Sequence, residues 1–170
     1  VANILTVNEA ARVVSVDVTD EKLADVLPQV DAYIQQATGY DWTQDDPVNP
    51  TAKAAARLQL ALTYDLMAML PSQIASLRAG LVCALAQLEL AAAGLQAIGN
   101  INSAAYADDM ETYLASGLLG LNLIDYNRLR STGQRSVAQT LFDGRPSGGY
   151  ADLPAIQEAL DTAVKAVIPQ

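Results

Sequence analysis

The stretch Tyr33–Trp42 reads YIQQATGYDW, and its reading sets the end of a helix. Upstream of it, Leu23, Val26, Leu27, Val30, Ile34 and Ala37 recur at the spacing of one helical face. The pattern stops at Thr38-Gly39. Glycine takes a positive φ there without the strain a Cβ would bring, which closes the helix. Tyr40 and Trp42 follow at once in an acidic loop. Two rings of that size beside a helix end have to fold back on something, either the bundle or a neighbouring subunit. Pro28 lies inside the helical pattern and predicts a kink or a break.

Working outward, Thr6 and Glu9 stand at capping-box spacing and start a short helix in TVNEAARVV. SVDVTDEK is a polar turn with Thr19 and Asp20 as candidate N-caps. After the corner, TGYDWTQDDPVNPTAK is a loop by its prolines and aspartates. From about Thr51 to Leu70 the chain is helical and apolar almost all round, with Leu58, Leu60, Leu62, Tyr64, Leu66, Met67 and Met69. Such a helix is expected to be buried on every side, within a bundle or against other subunits. Pro71 ends it. Ile74, Leu81, Leu88 and Leu95 then repeat every seven residues, with Leu77, Ala84 and Ala91 between them, which is a helix-packing seam.

The totals agree with an all-α fold. Of 170 residues, 51% are hydrophobic and only 5% aromatic, and much of the apolar content is Ala and Leu, both good helix formers. The net charge is −9, with no histidine and one cysteine, so no disulfide can form within the chain. Cys83, among apolar neighbours, is expected to be a small buried hydrophobe. VANILTVNEA has neither the basic region nor the long apolar run of a secretory signal. Ala79–Gly99 is long enough to span a membrane, but Glu89 would fall near the bilayer centre at a cost of a few kcal/mol. A buried helix and no membrane partner are expected.

No catalytic constellation stands out. Without histidine, serine-type triads and most transition-metal sites lose their usual base or ligand. Asp108, Asp109 and Glu111 form an acidic cluster, but carboxylates in a first helical turn chiefly favour the helix dipole. Asp41, Asp45 and Asp46 offer oxygen ligands without the alternation, glycine and closing glutamate of an EF-hand loop. DGRPSGGY matches no phosphate-loop spacing. The reading is a non-enzyme with no catalytic, metal or cofactor residues and no cofactor.

LTVNEAARVVSVDVTDEKLADVLPQVDAYIQQATGYDW, followed by a loop and an Ala-rich helix, resembles the head–tail connector proteins of tailed bacteriophages, also called adaptor or head-completion proteins. The residues carrying the resemblance are Leu5, Thr6, Glu9 and Ala10, then Asp17 and Asp20, then Tyr33, Ile34, Thr38 and Gly39. Pro50, Lys53 or Ala54, and Leu58 to Tyr64 complete it. The resemblance covers about residues 3–92. Pro28 and the tail beyond Gly94 depart from the pattern. The resemblance implies a small helical bundle that forms a ring of about twelve copies in the virion neck, assembled in the host cytoplasm. The ring would bind the portal protein on one side and a stopper or tail-completion protein on the other. Genomic DNA would pass through its lumen without sequence-specific contact. A negative net charge suits such a channel, because phosphate contacts would hold the DNA. The competing reading is a generic helical scaffold or regulatory protein-binding module without ring assembly.

Residues 1–93 are therefore expected as a connector-like bundle, and 94–170 as an extended arm with helices near 104–116 and 153–167. Glycines break that arm into short pieces, which should become ordered on a partner. Charge is uneven. Glu9 to Asp46 holds nine acids and two bases, whereas Leu121 to Tyr150 holds four arginines and two acids, an arrangement open to head-to-tail contacts. The interface candidates are Tyr40, Trp42, Leu60, Tyr64, Met67, Tyr126, Arg128, Arg130, Arg135, Phe142, Arg145 and Tyr150.

Overall fold

The structure, a computed structural model, describes residues 3–168. Among them are eight α-helices, two short 3-10 turns and no strand, so the chain is all-α. It divides into two compact units, Val1–Ala92 and Ala93–Gln170.

The first unit holds α1 (Val7–Val14), α2 (Glu21–Thr38), α3 (Pro50–Tyr64) and the first part of α4 (Pro71–Ser103). Thr6 and Glu9 form the capping box: Glu9 N donates to Thr6 Oγ1 at 3.2 Å and Thr6 N to Glu9 Oε2 at 2.9 Å. Asp20 caps α2 through the Leu23 N–H, and Asn49 caps α3 through the Thr51 N–H, each at 2.8 Å. These side chains satisfy donors that a helix start leaves unpaired. The α1, α2 and α3 helices pack on one another around Leu5, Leu23, Leu27, Ile34 and Leu60. Leu81, Ala84, Leu88 and Ala92 add the buried face of α4.

Pro28 does not break α2, which runs on for 18 residues. Pro28 leaves Ala24 O without its helical donor, and the Gln29 side chain adds a bond to the neighbouring carbonyl, Asp25 O, at 3.0 Å. The α3 helix, by contrast, ends at Tyr64 rather than Leu70, and a 3-10 turn, Leu66–Ala68, leads into α4. Two interactions hold that earlier end. Lys22 Nζ donates to Tyr64 O at 2.7 Å, and Tyr64 Oη donates to Asp20 Oδ1 at 2.9 Å. The expectation of a helix buried all round fails with it, because Leu66, Met67 and Leu70 are exposed.

The α4 helix is also not the buried helix expected. It buries one face and leaves Val82, Cys83 and Leu90 in solvent. Leu95 and Ala91 leave the predicted seam, which closes at Ala92. Alanine explains why the helix forms without burial: it has the best helix propensity and little apolar area to hide.

The second unit contains the end of α4 with α5 (Ala107–Ala115), α6 (Ile124–Arg128), α7 (Ser131–Asp143) and α8 (Leu153–Val167). Residues 94–170 are thus not an extended arm. They enclose a core of their own, built on Ile101, Met110, Leu114, Val137, Leu141, Ile156 and Leu160. The short pieces succeed because α7 packs against both α5 and α8. Residues 121–150, expected to need a partner, supply Tyr126, Val137, Ala138, Leu141 and Tyr150 to this core.

Candidate interaction surfaces

The corner at Tyr33–Trp42 is packed inward. Gly39 sits at φ 70° and its N–H reaches Gln35 O at 2.8 Å. Trp42 is only 1% exposed, and its Nε1–H donates to Thr38 Oγ1 at 2.9 Å. Thr38 in turn donates to Ile34 O at 2.8 Å, so the indole is tied to the last turn of α2. Tyr40 lies 4.7 Å from the indole, centroid to centroid, and its hydroxyl donates to Asp45 at 3.0 Å. Thr-Gly-x-x-Trp is therefore a closing device of the first unit.

This packing removes several of the predicted interface residues. Trp42 and Leu60 belong to the first core, and Tyr126 and Tyr150 to the second. Burial of their apolar area within their own unit explains each case. Tyr40, Tyr64 and Phe142 are half-buried. Met67, 99% exposed, stands out in the turn between α3 and α4. Beside it an open groove of about 450 Å³ is lined by Met69, Ser72, Gln73, Ser76 and Leu77. A second groove, of about 410 Å³, lies among Tyr33, Leu62, Thr63, Leu66, Arg78 and Val82.

Three of the four arginines in 121–150 are engaged within their own unit. Arg145 donates to Ile101 O at 3.0 Å and Ala104 O at 3.1 Å, neutralising the C-terminal carbonyls of α4. Arg135 pairs with Asp108 at 2.6 Å and Arg128 with Asp125 at 3.1 Å, both pairs well exposed. Among the described residues Arg130 is exposed and in no ion pair.

The acidic clusters have local work to do. Asp41 accepts from Thr43 N at 3.1 Å and Thr43 Oγ1 at 2.7 Å, and Asp45 accepts from Tyr40. Asp109 accepts from Ala105 N and Tyr106 N at the start of α5. No three His, Cys, Asp or Glu side chains converge as a metal site among the described residues.

Two carboxyls are tuned in opposite directions. Glu9 is held down at about 2, first by the Thr6 N–H and then by Lys53, whose Nζ lies 2.9 Å away. Asp31 is pushed up to about 6 by burial, with Asp41 adding repulsion against the opposing hydrogen bond from Ile4 N.

No protein-family model matches the chain, and no solved structure matches it. A 69-residue stretch is 45% identical to a gellan lyase from a Bacillus species. That stretch is 41% of the chain but 3% of the lyase, so the chain spans a very small part of the relative's length.

Proposed function

We propose that this chain is a structural head–tail connector of a tailed phage, forming a ring between portal and tail through which DNA passes. The observation carrying the reading is the run of connector-like motifs, which coincide with the elements that build the first unit. Thr6 and Glu9 cap α1, Asp20 caps α2, and Thr38-Gly39 closes α2 against Trp42. The family pattern thus falls on residues that shape the bundle, as a structural role requires.

The role is one of assembly, without catalysis. Portal, stopper and neighbouring copies would meet exposed groups such as Met67, Arg128, Arg130 and Arg135 rather than the buried aromatics. With a net charge of −9 the lumen would repel phosphate and let DNA slide. The lyase activity named for the partial relative is not carried over, since the shared stretch is so small a part of that protein.

Gene deletion in the encoding phage tests this. Heads should fill with DNA, leak it and remain tailless, and the full chain supplied in trans should restore tailed particles. Normal tailed particles without the chain would end the assignment.

A further inference from the structure

The outer face of α4 carries a second apolar stripe that the fold does not use. Ala75, Ala79, Val82, Ala86 and Leu90 follow one another by three or four residues, so they share one side of the helix. All five are exposed, Val82 at 66% and Leu90 at 77%. The stripe is about 24 Å long at the helical rise. Its alanines would let another helix approach closely, while Val82 and Leu90 supply knobs.

Charge on the flank says what fits there. Arg78 and Glu89 are the only charged residues of α4, both exposed, and among the described residues neither is in an ion pair. They are eleven residues apart, which is three helical turns, so they edge the stripe on the same flank. An antiparallel pair of identical helices brings like flanks together. With the two-fold axis beside Cys83, Arg78 of each copy meets Glu89 of the other. A parallel pair would set that flank against the opposite one and leave both charges unmatched.

We propose that two copies of this chain associate antiparallel through the Ala75–Leu90 face of α4, with reciprocal Arg78–Glu89 contacts. The pair does not rest on the connector reading, and the two fail separately, one by sedimentation and the other by particle assembly. A lipid surface is the lesser fit, since it would match the apolar stripe but leave Glu89 against hydrocarbon.

Sedimentation of the full chain over a concentration series tests the pairing. A monomer–dimer equilibrium is expected. Val82→Glu with Leu90→Glu should weaken the dimer by about tenfold or more, since each copy would bring two charges into the apolar contact. Both residues are exposed, so helicity should hold, and so should the melting temperature at concentrations where the wild type is monomeric. Arg78→Glu should weaken the dimer, and Arg78→Glu with Glu89→Arg should restore it. Cys83, beside the axis, serves as reporter: copper–phenanthroline with dioxygen should couple two chains, and the Val82/Leu90 variant should couple far less. A monomer at every concentration, or a dimer indifferent to these substitutions, would overturn the proposal. So would partition of the chain into phosphatidylcholine–phosphatidylglycerol vesicles through the same residues without any dimer.

Discussion

In the unit Val1–Ala92, α1, α2 and α3 each begin on a side chain that caps from within the first turn: Thr6, Asp20 and Asn49. In Ala93–Gln170, α6 and α7 begin with no side-chain cap. There the loops are held from afar. Asn102 accepts from Tyr150 N at 2.7 Å and donates to Tyr150 O at 2.9 Å across 48 residues. Arg145 reaches the carbonyls that end α4, and Gln157 brackets Asn122 by accepting from its N–H and donating to its carbonyl. Both units enclose an apolar core and both use distant bonds, Lys22 and Asp20 reaching Tyr64 in the first. The first, however, caps α1, α2 and α3 locally, whereas in the second local caps stand only at α5 (Asp109) and α8 (Asp152). Local capping forms with its helix, whereas the distant hydrogen bonds add stability only after loop closure has been achieved.

The strongest way to break the first unit is to empty its corner. Trp42→Ala should cost about 3–5 kcal/mol, through lost burial, a cavity and the loss of the indole hydrogen bond to Thr38. Urea unfolding monitored by circular dichroism would measure it, and a midpoint close to wild type would mean that the corner does not hold α2.

Glycine substitutions sharpen the contrast. Gly149 sits at φ 80°, and a Cβ there would lie 2.6 Å from Asn102 Cγ, so Gly149→Ala combines left-handed strain with a broken anchor. About 2–3 kcal/mol is expected. Gly39, at φ 70°, has open space around its missing Cβ, so Gly39→Ala should cost only about 1 kcal/mol. In an Asn102→Ala background the Gly149 substitution should cost less than it does alone. Strict additivity in thermal melts would place the strain elsewhere.

Asp31 offers a gain instead of a loss. Its folded pKa of about 6 lies above the ordinary 3.8, so the native state holds that proton more tightly. Stability from this group is greatest at low pH and falls as pH rises from about 4 through 6. Asp31→Asn should therefore stabilise the protein at pH 8 by about 1–2 kcal/mol, discounted for partial exposure. Near pH 3.5 the gain should vanish. An equal gain at both values would point to packing rather than ionisation.

Glu9 has the opposite sign and the smallest effect. Its pKa is depressed, so its contribution is complete above about 4.5 and is lost as pH falls towards 2. Glutamine can keep the capping-box geometry, so Glu9→Gln should remove the carboxylate charge from the Thr6 N–H bond together with the attraction to Lys53 and Arg57. About 0.5–1 kcal/mol at pH 7 is expected, shrinking in acid. A pH-independent loss would assign the effect to altered cap geometry rather than to the carboxylate charge.

The contrast between the units also explains what was legible in the sequence. Thr6–Glu9, Asp20 and Thr38-Gly39 act over three or four residues, so the ends of α1 and α2 could be read directly. The end of α3 could not, because Lys22 and Asp20 fix it from 42 and 44 residues away. The α7 helix was missed for a related reason. Its sequence, STGQRSVAQTLFD, is polar and holds a glycine, and only packing on α5 and α8 makes Val137, Ala138 and Leu141 a buried face. Exposure was the least legible property. Hydrophobicity alone pointed to burial of Leu66, Met67 and Leu70, in a bundle or against other subunits, and of Ala79–Gly99, and it pointed to Trp42, Leu60, Tyr126 and Tyr150 as contacts. Apolar character states what burial would favour, while the fold decides which residues receive it.

The connector assignment is tested most directly by imaging the full chain mixed with the portal protein of its own phage. A closed ring of fixed copy number, seated coaxially on the portal with an open central channel, is expected. Portal particles that stay bare at saturating concentrations of folded chain would contradict it.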